Sequence, residues 1–317
     1  MAIAAWLRGA TLVNWLQDLF PEVGVRLGVA GLVNVQSLLV ALRDRSLHAA
    51  SLNVVLGERM RDALIARGIP AARILVLPNW AEKNLHPVAR EQNALRDQWG
   101  YSADEFVVGY SGNMGRAHDI ESIIAAAVRL REHMRIRFLF IGDGAKRRLV
   151  EQTIVANDLH NVLVKGYQDQ CTLSQSLSLP DVHLVSLLPE LEGLIVPSKL
   201  YGALAVGRAV INIGDTDGEV ARVLHASAAG HSCASGDVQR LCELLQDVSE
   251  GDACADAGAN GLRYARANLH RDIALQRWHR ALAMLDIHRG GHPGRVLVGV
   301  GAAAGNGSPQ LTSSMPQ

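Results

Sequence analysis

The sequence predicts an α/β protein built on doubly wound, Rossmann-like parallel sheets. Short apolar runs alternate with helical patterns, and glycine-bearing turns follow several of the runs. With 317 residues, 49% of them hydrophobic, the chain is long enough for about two domains. Regular alternation of strands and helices is typical of a parallel sheet covered on both faces. The strand candidates of the regular part begin near Phe106, Arg137, Val162, Val182, Ala209 and His231.

The first part of the chain predicts fewer elements. Apolar runs at 10–16, 52–56 and 74–77 read as strands, and residues 58–67 read as a helix that ends at Gly68. A parallel sheet needs helices on both faces, so these strands make a poor independent domain. We therefore expect residues 1–95 to form a partial amino-terminal domain.

The remaining boundaries follow changes in composition. Residues 79–104 are polar and predict an inter-domain connection, and a complete carboxyl-terminal domain is expected over residues 96–270. A helical pattern at 271–289 is expected to close that domain. Residues 290–317 are dominated by Gly, Ala, Ser and Pro, which predicts a disordered tail.

Composition excludes several classes of function. Lys plus Arg and Asp plus Glu number 31 each, so no global field draws the protein to nucleic acid. Its four cysteines form no C-x-x-C pair, which argues against a metal site and a disulfide framework and favours a reduced cytoplasm. The apolar run at 27–42 is too short and polar to span a bilayer. Both a helix packed in the core and a peripheral membrane contact remain open for it.

One candidate site follows the strand at 106–110. A glycine-bearing turn there leads into a helix, and backbone N–H groups at a helix amino terminus bind anions well. The alternative is a tight turn capped by Asp119 with no ligand. The candidate phosphate-binding residues of this turn are Gly112, Asn113, Gly115, Arg116 and His118.

A second candidate site spans residues 190–219, where several polar groups follow two neighbouring strands. The carboxylate of Glu192 is suited to accept from sugar hydroxyls, and the amides after it are expected to meet phosphate oxygens. Lys199 adds a cation in the first turn of a helix. For Glu219 a helix-capping role is an equal alternative to a ligand role. The other candidates in this stretch are Gly193, Leu194, Ile195, Ser198, Asp217 and Gly218.

Taken together, these motifs resemble a known family. Tyr110–Gly115, Pro197–Gly202 with the Ala205–Arg208 segment, and Gly214–Glu219 are similar to the retaining GT-B glycosyltransferases of family 4, in the WcaI-like branch of colanic acid biosynthesis. Residues 15–22 and 78–82 match the same branch. The resemblance covers about residues 10–287. It implies two Rossmann-like domains facing across a cleft, with a nucleotide-sugar held by the second and with the amino-terminal domain truncated.

The resemblance also implies a reaction. A hexosyl group would pass from a nucleoside diphosphate sugar to an acceptor hydroxyl with retention, without a metal or other cofactor. The acceptor would be a saccharide or a lipid-linked saccharide used for surface polysaccharide. That places the protein in the cytoplasm, with peripheral contact at the inner face of the membrane.

Individual residues take their roles from the same resemblance. Glu192 and Lys199 would act on the donor. Asp18 occupies a place where relatives often carry a histidine, and its alternative role is to cap a turn. Gly202 stands where relatives have a ribose-binding Glu, which would pass that role to Glu219. Two other functions remain: a truncated, non-catalytic nucleotide-sugar-binding domain, and a sugar-nucleotide epimerase of the same fold.

Overall fold

The computed structural model describes residues 2–287 and 296–300, which form two parallel sheets. The smaller sheet has the strand order β10-β1-β2-β3. Its strands are β1 (Thr11–Trp15), β2 (Leu52–Val55), β3 (Ile74–Val76) and β10 (Val296–Val300). The first three lie at the positions that the sequence predicts.

The larger sheet has six parallel strands in the order β6-β5-β4-β7-β8-β9. Each begins within one residue of its predicted start, which confirms the doubly wound α/β prediction. The strand order reverses between β4 and β7, and open α/β sheets bind ligands outside the carboxyl ends of strands at such a point. The strands are β4 (Phe106–Ser111), β5 (Ile136–Ile141), β6 (Val162–Lys165), β7 (Val182–Ser186), β8 (Ala209–Ile213) and β9 (Gly230–Cys233).

Thirteen α-helices connect and cover the strands within the described residues. Those of the first domain are α1 (Ala2–Leu7), α2 (Glu22–Arg26), α3 (Leu32–Ala49) and α4 (Glu58–Ile65). The second group comprises α5 (Ala94–Gln98), α6 (Ile120–Arg129), α7 (Arg147–Ala156), α8 (Leu173–Ser178), α9 (Lys199–Ala205), α10 (Glu219–Ser227), α11 (Val238–Ser249), α12 (Ala253–Asn268) and α13 (Arg271–Ile287).

Helix α13 corrects one expectation. The sequence predicts that it closes the second domain, but Ala274 and Trp278 pack against Val13, Leu52 and Val54 of the first sheet. The other face of this sheet carries α3, and a parallel sheet with only one face covered would expose apolar side chains. The last described helix therefore supplies the cover that the first domain lacks.

Strand β10 corrects part of the predicted tail. Residues 296–300 pair in parallel with β1, starting with Thr11 opposite Val296. Their sequence, VLVGV, is rich in β-branched residues, and the edge of β1 offers N–H and C=O groups for pairing. Residues 288–295 and 301–317, which complete the predicted tail, lie outside the described residues.

Helix α3 lies largely on the surface. Val33, Leu38 and Leu42 are 67%, 62% and 57% exposed, so the expectation of a helix packed in the core does not hold for this segment. Its carboxyl-terminal half is fixed instead, because Asn14 donates to the Ser46 carbonyl and Ser46 donates to Asn14. Among the helices of residues 2–287, none is long and apolar enough to cross a membrane.

Asp119 holds the amino terminus of α6 and joins it to the loop after β9. Its carboxylate accepts hydrogen bonds from the N–H of Ser122, the hydroxyl of Ser235 and the N–H of Gly236. Burial alone would raise the pKa of Asp119, but these hydrogen bonds outweigh burial and hold the pKa below its ordinary value. The residue is thus both a helix cap and a link between two loops.

We expect Asp119→Ala to lower the free energy of unfolding by about 2 kcal/mol, since a cap and two further hydrogen bonds are lost. Urea denaturation measures this value. The matched control is Asp237→Ala, which removes the cap of α11 and should cost about 1 kcal/mol. Because its pKa is lowered, the Asp119 contribution is present above pH about 4 and fades as pH falls through the lowered pKa. Equal losses in the two variants at pH 7 would contradict the linking role.

Candidate functional site

Two loops diverge at the reversal point of the larger sheet, one after β4 and one after β7. Gly112 opens the first loop with φ of +122°, and its N–H donates to the Ile141 carbonyl. A Cβ at position 112 would lie 3.0 Å from Cε of Lys199. The glycine therefore gives the loop its left-handed turn and leaves room for the lysine stem.

A histidine and a lysine meet in this crevice. Lys199 is the first residue of α9, and its Nζ lies 2.9 Å from Nε2 of His118. The other ring nitrogen of His118, Nδ1, lies 2.5 Å from the Ser186 carbonyl oxygen at the end of β7. A carbonyl only accepts, so Nδ1 carries the proton, and Nε2 accepts from Lys199. The ring of Tyr110 lies 5.1 Å from Nζ on another side.

The pKa values of His118 and Lys199 both lie well below their ordinary values. Burial, reinforced by the nearby charge of Lys199, lowers the pKa of His118 to about 3. Burial also lowers the pKa of Lys199 to about 7. Within the described chain no carboxylate lies at ion-pair distance from Lys199. A partly buried amine without a counter-ion is a place where an incoming anion is favoured.

The other predicted residues of the β4 loop lie around the mouth of the crevice. Asn113 and Arg116 are exposed, and Arg116 makes no ion pair with the residues that the structure describes. The backbone of Gly115 turns the loop toward His118, whose N–H donates to the Gly115 carbonyl. The structure thus brings His118, Lys199 and Gly112 together and leaves Asn113 and Arg116 open to solvent.

A second cluster lies beside the first, where β7 and β8 end. The carboxylate of Glu192 accepts a hydrogen bond of 2.8 Å from the N–H of Glu219, the first residue of α10. Oε2 of Glu192 lies so near Gly218 that a Cβ there would be 2.6 Å away, so a larger residue at 218 would displace the carboxylate. Burial raises the pKa of Glu192. Glu192 is therefore the cap of α10, with lone pairs left to accept from a ligand.

The same cluster contacts the first domain. Oε2 of Glu219 lies 3.4 Å from the backbone nitrogen of Arg59 at the start of α4, and Asp217 forms an ion pair of 2.5 Å with the Arg59 side chain. Burial raises the pKa of Glu219, although hydrogen bonds from Arg59 and Glu58 oppose this. Arg59 is not among the residues that the sequence predicts for the site. It does lie in the first turn after a predicted strand, at the sheet edge where ligands bind, and that position was its available signal.

The prediction for the loop amides is wrong at two positions. The N–H groups of Leu194 and Ile195 both donate to the Leu191 carbonyl, at 3.0 and 3.3 Å, so they are not directed at a phosphate. The short turn at Pro189–Leu191 continues into this segment and takes up these donors. The side chain of Ser198 is exposed and makes no cap hydrogen bond to α9.

Asp18 and Gly193 lie where the two domains meet. The N–H of Leu19 donates to the Leu194 carbonyl at 2.9 Å, which brings Asp18 beside the loop that carries Glu192. Gly193 has φ of +74°, and a Cβ there would be 3.2 Å from the Arg59 carbonyl oxygen. Asp18 therefore lies next to the segment that carries Glu192.

Residues 105–250, which carry both clusters, match the model of the family described as "Glycosyl transferases group 1". This segment is therefore similar to a group 1 glycosyltransferase domain. The curated relatives agree. The chain is 30% identical over 212 residues to the putative colanic acid biosynthesis glycosyl transferase WcaI of Escherichia coli K12, and 28% identical over 259 residues to the probable glycosyltransferase WbjE of Pseudomonas aeruginosa. These alignments cover 65% and 80% of this chain, but only 52% and 64% of the relatives.

Solved structures show the same fold as this chain. HepE of Anabaena, in complex with UDP and glucose, superposes with a TM-score of 0.72 at 20% identity, over 89% of this chain and 74% of HepE. WaaG, a glycosyltransferase involved in lipopolysaccharide biosynthesis, superposes with a TM-score of 0.64 at 17% identity, over 88% of this chain and 75% of WaaG. The GT-B fold that the sequence predicts is confirmed.

Proposed function

We propose that this chain transfers a hexosyl group from a nucleoside diphosphate sugar to an acceptor hydroxyl with retention, as a family 4 glycosyltransferase. One observation carries the proposal. The Nζ of Lys199 lies at the reversal point of the sheet, hydrogen-bonded to a neutral histidine, and no carboxylate of the described residues pairs with it. HepE, which has the same fold, was solved with UDP, and this supports a diphosphate as the anion at such a position.

The geometry supports a division of roles. Negative charge grows on the departing diphosphate as the glycosidic bond breaks, and Lys199 lies where it would stabilise that charge. Arg116 and Asn113 at the mouth would add donors to the outer phosphate. Glu192 keeps acceptor positions that would hold the hydroxyls of the sugar. The leaving phosphate oxygen would accept the proton of the attacking hydroxyl.

The donor, the acceptor and the location are part of the same proposal. HepE was solved with UDP-glucose as well as with UDP, which supports a uridine nucleotide as the first donor to test. WcaI is named for colanic acid biosynthesis, which supports a saccharide or lipid-linked acceptor for a surface polysaccharide. The exposed apolar residues of α3 support peripheral contact of the protein with the inner face of the membrane.

Calorimetry with UDP and GDP, followed by a transfer assay with the corresponding sugar nucleotides, tests the proposal. We expect saturable binding of one nucleotide and formation of a retained glycoside. Failure of both nucleotides to bind would overturn the proposal. A second candidate is a nucleotide-sugar-binding domain without transfer, because both side-chain clusters described above lie on the side proposed to hold the donor. Binding without any transfer to saccharide or lipid-linked acceptors would support that candidate.

Glu192→Gln is expected to lower the rate of sugar transfer about 10- to 100-fold and to leave UDP affinity within about 2-fold. The amide keeps one acceptor for the N–H of Glu219, so α10 stays capped, but the charge that orients the sugar is lost. Steady-state transfer rates and UDP calorimetry measure the two effects. Glu190→Gln is the matched control, since Glu190 is exposed two residues away. Equal losses of transfer and UDP binding would place the defect in folding instead.

A further inference from the structure

The hydrogen bonds of His118 leave neither of its ring nitrogens free to bind a phosphate. Nδ1 donates to the Ser186 carbonyl, and Nε2 accepts from Nζ of Lys199. Both ring nitrogens are therefore used inside the protein. A phosphate oxygen is an acceptor, and a neutral imidazole in this tautomer has no free donor to offer it.

The surroundings of the pair keep the histidine neutral. Lys146, immediately before α7, donates to the His118 carbonyl oxygen and pairs with Glu121 of α6. Lys199 approaches from α9, so two cations face His118. Tyr110 of β4 lies next to Lys199, and burial raises its pKa well above the ordinary value, so it contributes no charge. A second positive charge on the imidazole would have no partner among these groups.

Lys199, unlike His118, still has N–H donors that a ligand can use. An ammonium group has three N–H donors, and the described residues supply Nζ with one hydrogen-bond acceptor, Nε2 of His118, besides the ring of Tyr110. Burial lowers the pKa of Lys199 to about 7, so above neutral pH the amine is mostly uncharged unless an anion binds beside it. A bound diphosphate would favour the charged form.

We propose that His118 is a positioning residue that holds Nζ of Lys199 for the donor diphosphate, and that nucleotide binding takes up one proton from solvent onto Lys199. The step forms one N–H bond on Nζ, and the buffer supplies the proton. No other bond changes. The inference rests on the proposed function. It adds that Nζ of Lys199 carries the charge and that His118 orients Nζ.

Calorimetric titration with UDP in two buffers of different ionisation enthalpy measures the proton uptake. For the native chain we expect about half a proton at pH 7 and close to one at pH 8.5, where UDP itself is fully ionised. UDP affinity should accordingly fall by up to about tenfold per pH unit above pH 7. UDP binding without uptake at pH 8.5 would overturn the inference and leave the proposed function standing. No binding of UDP or GDP would overturn both.

Three variants assign the roles. Lys199→Met should bind UDP weakly and without proton uptake. His118→Gln places a carboxamide near the position of Nε2 and should keep both the uptake and most of the affinity. His118→Asn replaces Nδ1 but does not reach Lys199, and it should lose about tenfold in affinity. Loss of uptake in His118→Gln would assign the proton to the histidine and overturn the inference, as would equal affinity losses in the Gln and Asn variants.

A measurement without nucleotide checks the hydrogen-bond pattern directly. In ¹⁵N-histidine spectra of the full chain, assigned with His118→Gln, His118 should show a protonated Nδ1 and a bare Nε2 from pH 5 to pH 8. Protonation of both nitrogens near pH 6.5 would contradict the positioning role.

Discussion

Replacing Lys199 by methionine is expected to weaken UDP binding about 10- to 100-fold, because the variant loses a charge-assisted hydrogen bond to the diphosphate. The melting temperature should not fall. Lys199 is partly buried with no counter-ion among the described residues, so removing its buried amine offsets the loss of the donor to Nε2 of His118. Calorimetry and thermal unfolding measure the two quantities on the same preparation.

The control for this variant is Arg131→Met, which removes an exposed cation just after α6, on the amino-terminal edge of the larger sheet. It should leave UDP affinity unchanged. An unchanged affinity in Lys199→Met would remove this residue from the donor site. A fall in both affinity and melting temperature would indicate that the lysine supports the fold.

Trp278→Ala is expected to lower the free energy of unfolding of the first domain by about 3–5 kcal/mol, the usual cost of removing a buried aromatic side chain. Trp278 is 8% exposed and packs against Trp15 with ring centroids 5.5 Å apart. UDP affinity should change little, because His118, Lys199 and Glu192, the residues proposed to act on the donor, lie on the second domain. Hydrogen exchange of β1 and β2, compared with that of β4 and β5, measures the local effect.

Arg280→Ala, at an exposed position of the same helix, is the control and should leave both sheets unchanged. If exchange in Trp278→Ala rose equally in the two sheets, the two domains would unfold as one unit. If it rose only in the larger sheet, the packing of α13 on the first domain would be contradicted.

Much of the larger sheet is predictable because its signals are local. Apolar runs, helical periodicity and glycine turns each lie within a few residues, and they locate β4 to β9 within one residue. The face on which α13 packs is not predictable in this way. Trp278 meets Trp15 across more than 260 residues of chain, and no local pattern specifies that pairing.

In the candidate site, too, local patterns predict single residues but not the contacts between distant segments. His118 and Lys199 are each predicted to lie near a phosphate, but they are 81 residues apart, and their mutual hydrogen bond depends on the order of β4 and β7. Arg59 is separated from Glu219 by 160 residues and was missed. The amides of Leu194 and Ile195 were assigned wrongly because residue types do not reveal the direction of an N–H group within a turn.

Glu219 belongs to α10 of the second domain, and its carboxylate accepts a hydrogen bond from the N–H of Arg59 at the start of α4 in the first domain. A ligand hydroxyl that donates to the same oxygen, Oε2, competes with the N–H of Arg59 for it. Ligand binding and domain contact then oppose each other by one coupling free energy, equal in both directions. The affinity measured for such a ligand therefore includes the work of releasing α4.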